Sequence, residues 1–185
     1  MRLTLMLALL FPVLAWAQEP GEANTPAAEP AATPVPAERC GAPEHHQFDF
    51  CLGEWTVTSN GLPAGSNSIR SIQGGCVLQE NWQGAGSGGI SGTSFNIYDR
   101  ESRRWHQTWV DASGTLLQLD GGLKDGAMVL EGKRPAPGGN GLVLHRISWT
   151  PNEDGSVKQL WEASQDDGDS WNVIFDGHYT RTGSP

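Results

Sequence analysis

Several features that mark large classes of proteins are missing from this sequence. Basic side chains are few: 12 Lys and Arg stand against 21 Asp and Glu, a net charge of −9, which argues against binding to nucleic acid or anionic membranes. There is no Gly-x-Ser-x-Gly elbow, no His-Glu-x-x-His pair, and no CxxC spacing among the three cysteines. The glycine-rich stretch 84–89 lacks the lysine of a phosphate-binding loop. We therefore expect no metal site, no nucleic-acid partner and none of these catalytic motifs.

The N-terminal residues have the pattern of an export signal. Arg2 precedes an apolar run that is too short for a comfortable membrane span and that ends in Ala-Trp-Ala at 15–17. Small residues at this spacing are typical of a signal-peptidase site. We expect a signal peptide over residues 1–17 and a mature chain that begins at Gln18, is periplasmic or secreted, and is not inserted in a membrane after cleavage. An uncleaved anchor helix is the alternative.

A proline- and alanine-rich segment follows the predicted signal. Residues 18–38 contain five prolines and no large side chain that a core would bury, which predicts a disordered linker. The folded domain is then expected over residues 39–182, a length sufficient for one full hydrophobic core.

The pattern of the remaining chain predicts an all-β domain. Helical periodicity is nearly absent, and short β-rich runs alternate with Gly- and Asp-rich turns such as Asp-Gly at 125–126 and 154–155. Many short strands joined by hairpins indicate an antiparallel up-and-down barrel or a sandwich. The absence of helices between strands excludes a parallel βαβ sheet. The ten predicted strands cover 54–59, 67–73, 77–83, 91–98, 103–111, 115–120, 127–133, 142–150, 156–164 and 171–181.

One of the predicted turns has a specific signature. Residues 164–171 spell Ser-x-Asp-x-Gly-x-Ser-Trp, which resembles the Asp-box of sialidases and related β proteins. In that motif the aspartate accepts backbone hydrogen bonds within a hairpin turn, and the tryptophan packs beneath it. The resemblance implies structural roles for Asp166 and Trp171, and it does not imply glycosidase activity.

The start of the first strand carries Gly53-x-Trp55, which resembles the Gly-x-Trp signature of lipocalins and related calycin barrels. In that group the tryptophan closes one end of the barrel, and an arginine at the end of the last strand covers it. Together with the ten predicted strands, the resemblance implies a lipocalin-like barrel, with Arg181 over Trp55 and a short N-terminal capping turn.

Three longer motifs resemble a family of exported bacterial proteins of unknown function. They are Phe-Asp-Phe-x-Leu-Gly-x-Trp at 48–55, Gly-Cys-x-Leu-x-Glu-x-Trp at 75–82 and Trp-x-Gln-x-Trp-x-Asp at 105–111. The sequence departs from that family at Cys51, where tryptophan is usual. The resemblance supports a lipocalin-like barrel and brings no established activity.

The three cysteines suggest one disulfide and one free thiol. Export makes a disulfide favourable, and a bond from Cys40 to Cys76 would join the segment before the barrel to one of its early strands. We predict this pair. Cys51 replaces an aromatic residue of the resembling family, and the resemblance therefore implies a buried packing position for Cys51 rather than a bridge.

Period-two alternation places polar and large apolar side chains on the same strand faces. Gln107 shares a face with Trp105 and Trp109, and Gln159 shares one with Trp161. An interior that mixes tryptophan with amide and charged groups is typical of a ligand cavity, whereas a closed polar network or solvent-facing positions are the alternatives. We predict that a small amphipathic or aromatic ligand is bound by Glu80, Trp82, Asn96, Gln107, Trp109, Arg146, Gln159 and Trp161.

Three classes of function are compatible with these patterns. The preferred hypothesis is a non-enzymatic carrier or sensor for a small molecule. The second is an envelope hydrolase or isomerase that uses Glu80 or Asp111 as its base. The third is an interaction module whose tryptophans bind glycans or another protein. No cofactor is expected, and haem bound through His178 is the alternative.

Overall fold

Ten antiparallel strands form a closed barrel in the computed structural model, which describes residues 39–183. Each strand pairs with its neighbours in the sequence, and the last pairs with the first. This topology confirms the predicted all-β fold and rules out a sandwich. The predicted signal peptide and linker lie outside the described residues. The strands are β1 (Gly53–Ser59), β2 (Leu62–Ile72), β3 (Val77–Gly84), β4 (Ser91–Asp99), β5 (Arg104–Asp111), β6 (Leu116–Lys124), β7 (Ala127–Pro135), β8 (Leu142–Pro151), β9 (Val157–Ser164) and β10 (Asn172–Arg181).

Strand β2 differs most from its prediction, because it begins at Leu62 instead of residue 67. The turn before it consists of Asn60 and Gly61, whose φ angles are 52° and 75°. Positive φ at two consecutive residues is the geometry of the tightest hairpin loops, and it lets strand pairing resume at once. A shift of register between Val57 and Thr58 then accommodates the irregular start of β2.

One end of the barrel is closed by the segment that leads into β1. Two short 3₁₀ helices, Pro43–His46 and Asp49–Cys51, lie in this segment and correspond to the predicted capping turn. Phe48, between them, is buried, and its ring centroid lies 5.6 Å from that of Trp105 and 5.1 Å from that of Trp149. Aromatic packing therefore fills the barrel at the end where the odd-numbered strands begin.

The pair implied by the lipocalin resemblance lies at this closed end. The guanidinium carbon of Arg181 lies 4.4 Å from the ring centroid of Trp55, and the two residues are direct partners in the β1–β10 ladder. The indole of Trp55 is buried and donates its N–H to the carbonyl of Cys51 at 2.8 Å.

The cysteines pair as predicted. Cys40 and Cys76 form a disulfide with their Cα atoms 5.2 Å apart, while Cys51 is free and buried. Burial raises the pKa of the Cys51 thiol well above its ordinary value. A disulfide of this kind indicates a protein that folds in an oxidising compartment outside the cytoplasm. No helix within residues 39–183 has the length and apolar character needed to span a membrane.

The turn between β9 and β10 has the hydrogen bonds of an Asp-box. Asp166 accepts bonds from the backbone N–H of Ser170 at 2.9 Å and from the hydroxyl of Ser164 at 2.7 Å. Bonds from Ser170 and Ser164 lower the pKa of Asp166 to about 2. Trp171, at the end of the turn, lies under the guanidinium of Arg146 with 3.8 Å between the guanidinium carbon and the ring centroid. Asp166 thus organises the turn, and Trp171 packs beneath Arg146 of β8.

Candidate functional site

A cavity of about 220 Å³ lies inside the barrel. It is near the end opposite Phe48, where the odd-numbered strands finish and the even-numbered strands begin. Twelve side chains from six strands line it, and half of them are aromatic. They are Glu80, Trp82, Gln107, Trp109, Leu117, Ile147, Trp149, Gln159, Trp161, Ile174, Phe175 and Tyr179.

The lining changes from polar and buried to aromatic and partly exposed. Glu80, Gln107, Gln159 and Tyr179 are 9%, 3%, 8% and 4% exposed, and they form the polar part of the floor. Trp82, Trp109, Trp161 and Phe175 are only partly buried, and Ile174 is 52% exposed. The polar groups therefore lie deep, and the indole and phenyl rings form the walls toward the mouth.

Exposed apolar side chains are concentrated at the same end of the barrel. In an up-and-down barrel all even-numbered strands begin at one end, and here each of the five begins beside a large exposed aliphatic residue. An apolar border of this kind is compatible with ligands that carry an apolar body. The residues are Leu62, Ile90, Leu116, Leu142, Val173 and Ile174.

A directed chain of hydrogen bonds runs beneath the floor and ends at Glu80. The amide of Gln107 donates to Asn96 Oδ1 at 2.9 Å, the amide of Asn96 donates to Ser94 Oγ at 2.9 Å, and Ser94 donates to Glu80 Oε2 at 2.6 Å. Asn67 donates to the other carboxylate oxygen, also at 2.6 Å. Ser94 Oγ thus accepts a bond from Asn96 and donates one to Glu80, and both carboxylate oxygens of Glu80 act as acceptors.

The pKa values on the floor are set mainly by burial. Burial raises the pKa of Glu80, and the hydrogen bonds from Ser94 and Asn67 oppose that rise. Burial also raises the pKa of Tyr179 well above its ordinary value. The hydroxyl of Tyr179 therefore stays protonated and donates to Gln159 Oε1, which leaves the N–H₂ group of Gln159 as the donor available to the cavity.

Two of the wall tryptophans are held by hydrogen bonds at their indole nitrogens. Trp109 donates to Asp111 Oδ2 at 3.2 Å, and Trp161 donates to His145 Nδ1 at 3.0 Å. Burial, with a contribution from Arg134, lowers the pKa of His145, so the imidazole is neutral and able to accept this bond. Fixed indoles keep the walls in one orientation, which reduces the entropy lost when a ligand binds.

Asp111 is unsuited to the role of general base. Partial burial acts to raise the pKa of Asp111, but hydrogen bonds from Ser113, Thr115 and Trp109 lower this pKa to about 2. A carboxylate with such a low pKa accepts a proton poorly near neutral pH. Asp111 instead orients Trp109 and organises the turn that follows β5.

The structure brings together six of the eight predicted ligand-binding residues. Glu80, Trp82, Gln107, Trp109, Gln159 and Trp161 all line the cavity. Asn96 is buried but lies one layer behind the wall, where it connects Gln107 to Ser94.

The position predicted for Arg146 is wrong, because its side chain lies on the outside of the barrel. In β8 the buried positions are Val143, His145, Ile147 and Trp149, so Arg146 has the opposite orientation. It pairs with carboxylates of the outer face, at 2.9 Å from Glu162 and 3.8 Å from Glu131, and it covers Trp171. In the sequence, Leu142 and Leu144 suggested that the face they share with Arg146 points inward. Leu142 is 60% exposed, however, so this face points outward.

Sequence reasoning missed several members of the site. Tyr179 and Trp149 are buried lining residues. Each shares its strand face with another large apolar residue, which is a signal that the sequence does contain. Asn67 and Ser94 have no such signal. Ser94 is the direct partner of Glu80 in the β3–β4 ladder. Asn67 lies two residues before Ile69, the partner of Glu80 in the β2–β3 ladder, and therefore shares its face.

The haem alternative has no support in the position of His178. This residue is exposed on the outer face of β10, opposite Thr58 and Lys158 on the adjacent strands, so its imidazole does not face the cavity. Within residues 39–183 no three His, Cys, Asp or Glu side chains are grouped closely enough to hold a metal ion.

A second hollow, about 530 Å³ in volume, lies on the outer surface beside the disulfide. Three of its titratable groups are already engaged in local hydrogen bonds. His106 bonds to Asp120 at 2.9 Å, and Asp99 accepts backbone bonds from Glu101 and Ser102 in its own turn. The interior cavity is therefore the stronger candidate site.

Comparison with known proteins identifies a family and no activity. No curated protein matches the sequence. Residues 41–181 match a family described as "Protein of unknown function (DUF1579)". These residues include the whole barrel, the disulfide partner Cys76 and every side chain that lines the cavity. With most of its length covered by that match, the chain belongs to the family of proteins of unknown function DUF1579.

Proposed function

We propose that this protein is an exported, lipocalin-like binding protein that holds a small amphipathic or aromatic ligand in the barrel cavity. The observation that carries the proposal is the gradient of the lining, from hydrogen-bonding groups on the floor to aromatic rings at the mouth. Apolar walls with a few oriented polar groups are what small-molecule sites share. A core built only for packing would avoid Glu80, Gln107 and Gln159.

The cavity volume limits the size of the ligand. About 220 Å³ exceeds the roughly 150 Å³ that suffices for a benzene-sized molecule, and it is below the ~300–1,000 Å³ of sites for drug-sized ligands. The proposed ligand therefore has a single ring or a short branched chain, with one polar group that reaches the floor.

Two further observations support a lipocalin-like, exported protein. The Gly53-x-Trp55 start and the Arg181 cover of Trp55 are arranged as in the lipocalin signature, although the barrel has ten strands where lipocalins have eight. The Cys40–Cys76 disulfide agrees with export to the periplasm or the medium. N-terminal sequencing of the exported protein is expected to begin at Gln18.

Native mass spectrometry of protein purified from the periplasm of its producing cells tests the binding function. We expect a co-purifying small mass that is lost in Gln107→Leu and in Trp109→Ala. The matched control is Gln118→Leu, since Gln118 is exposed on β6 and undergoes the same chemical change away from the cavity. A co-purified mass that survives both cavity substitutions would contradict the proposal.

The second candidate is an enzyme that uses Glu80 as its base. The raised pKa of this buried carboxyl favours it, because general bases in enzymes are often tuned upward in this way. Turnover of p-nitrophenyl acetate by the native protein, abolished in Glu80→Gln, would support this candidate over simple binding.

The third hypothesis, a surface of exposed tryptophans that stack on glycans, is not favoured. Of the seven tryptophans within residues 39–183, six belong to the buried core or pack against it. The seventh, Trp171, lies beneath Arg146.

A further inference from the structure

We propose that the ligand is a small organic cation, a protonated amine or quaternary ammonium group on a compact apolar body, bound with its charge between Glu80 and the aromatic walls. This inference rests on the proposed binding function and adds the charge and chemical class of the ligand.

The first argument is the imbalance of charge inside the barrel. Glu80 lines the cavity and makes no ion pair within residues 39–183. The acidic or uncharged ionisable groups at inward positions include Asp111 at the mouth, neutral His145, protonated Tyr179 and the buried thiol of Cys51. The cavity lining therefore contains a carboxyl group and no basic side chain.

Two arginines occupy inward positions, one at each end of the barrel. Arg134 lies near the end of β7, where its charge acts on His145. Arg181 lies over Trp55 at the closed end. Neither lines the cavity, so neither supplies the missing counter-charge at Glu80. The remaining basic side chains of the described strands lie on outer faces or in turns.

The second argument is the cost of burying Glu80. Removing a carboxylate from water is unfavourable unless it is paired as well as hydrogen-bonded. The bonds from Asn67 and Ser94 are dipoles and compensate this cost only in part, as the raised pKa of Glu80 shows. A cationic ligand supplies the missing charge, whereas a carboxylate or phosphate ligand adds repulsion in a poorly solvated space.

The third argument is the arrangement of rings around the carboxylate. Trp82 follows Glu80 by two residues on the same face of β3. Its ring centroid lies 6.0 Å from that of Phe175 at 79° and 6.5 Å from that of Tyr179 at 42°. Rings set at such angles present both π faces and edges to the same cavity. An ammonium group near π faces is stabilised by the ring quadrupoles, most strongly by tryptophan.

The amide of Gln107 adds a further acceptor. Its N–H₂ group is used in the bond to Asn96, and no donor within residues 39–183 bonds to its Oε1. Glu80 and Gln107 thus present acceptors to the cavity, as a protonated amine requires. The overall charge of −9 also favours the approach of cations.

Three probes of similar size separate the charge from the shape of the ligand. Benzylamine is a cation at neutral pH, benzyl alcohol is neutral and benzoate is an anion, and each carries one benzene ring. Isothermal titration calorimetry at pH 7 is expected to show benzylamine binding about tenfold or more tighter than benzyl alcohol. Benzoate is expected to be the weakest of the three.

Glu80→Gln is the decisive variant, because it keeps the size and shape of the side chain and removes its charge, while it exchanges one acceptor oxygen for a donor N–H₂ group. It should abolish the preference for benzylamine and change the affinity for benzyl alcohol by no more than roughly twofold. Glu131→Gln is the matched control, since Glu131 is exposed on β7 and its loss should leave all three affinities unchanged. Near-UV circular dichroism checks that both variants keep the native packing.

The outcomes distinguish the two levels of the proposal. If benzyl alcohol or benzoate binds as tightly as benzylamine, or if Glu80→Gln keeps the preference, the cationic ligand is overturned while the binding function stands. If none of the three probes binds and native mass spectrometry finds no ligand, both fail.

Discussion

The guanidinium of Arg181 covers the indole of Trp55 at a distance of 4.4 Å from its ring centroid. Arg181 also donates a hydrogen bond to the carbonyl of Leu52 at 2.8 Å, and the indole N–H of Trp55 bonds to the carbonyl of Cys51. The last strand, the first strand and the segment that leads into the barrel are therefore joined at one point. This point closes the barrel at the end opposite the cavity.

Replacing Trp55 by Ala should lower the free energy of unfolding by about 3–5 kcal/mol, as for other fully buried aromatic side chains. Arg181→Lys should lower it by only about 0.5–1 kcal/mol, because Arg181 is largely exposed and cation–π attraction is weak at exposed sites. Urea unfolding measures both. Arg70→Lys, at an exposed position of β2, is the control, and equal losses in the two Lys variants would show that the stack contributes nothing.

Removal of the disulfide should destabilise the protein through its unfolded state. The bond spans a sequence separation of 36, for which the loop-entropy relation gives about 4 kcal/mol. The double variant Cys40→Ser, Cys76→Ser is expected to lose about that much unfolding free energy and to unfold at a lower urea concentration than the native protein. Peptide mapping without reductant should recover one cross-linked peptide pair, and a link that includes Cys51 would contradict the structure.

Glu80 should make stability depend on pH in a specific direction. Because its folded pKa is raised above the ordinary value of 4.5, the folded state binds more protons than the unfolded state between these two values. The contribution of Glu80 is fully present below about 4.5 and is lost as the pH rises through the folded pKa.

The unfolding free energy of the native protein, relative to that of Glu80→Gln, should therefore fall as the pH rises across this window and then level off. Urea unfolding of both proteins at a series of pH values provides the measurement. Glu131→Gln, with its carboxyl on the outer face, is measured beside it as a carboxyl-to-amide change away from the cavity. A flat difference for Glu80→Gln would show that its burial has no effect on protonation.

Asp166 should stabilise its turn in the opposite pH range. Hydrogen bonds from Ser170 and Ser164 hold its pKa at about 2, below the ordinary 3.8, so this contribution is present above 3.8 and is lost as the pH falls through 2. Asp166→Ala should raise the hydrogen-exchange rate of the Ser170 amide, because this amide donates a hydrogen bond to the Asp166 carboxylate in the native turn. Asp169→Ala is the control at an adjacent acidic position, and equal acceleration in both variants would argue against the Asp-box role.

The local sequence contained enough information to predict the number and order of the strands. Turns such as Asp125-Gly126 have positive φ angles that few residues adopt readily, and they mark where one strand ends and the next begins. The Asp-box turn and the pairing of Cys40 with Cys76 were predictable for the same reason, since each depends on residues whose chemistry has few alternatives. The early start of β2 was missed because Pro63 and Gly65 disguise a strand that the Asn60-Gly61 hairpin makes possible.

The location of the site depended on how the barrel closes. Alternation sorts each strand into two faces, but only closure decides which face is enclosed. Gln107 and Gln159 therefore lie inside, and Arg146, equally flanked by apolar residues in the sequence, lies outside. The carboxylate environment of Glu80 depends on register, because Asn67 and Ser94 come from the strands on either side. Contacts between residues distant in the chain are properties of the tertiary structure, and they determine the depth, charge and polarity of the cavity.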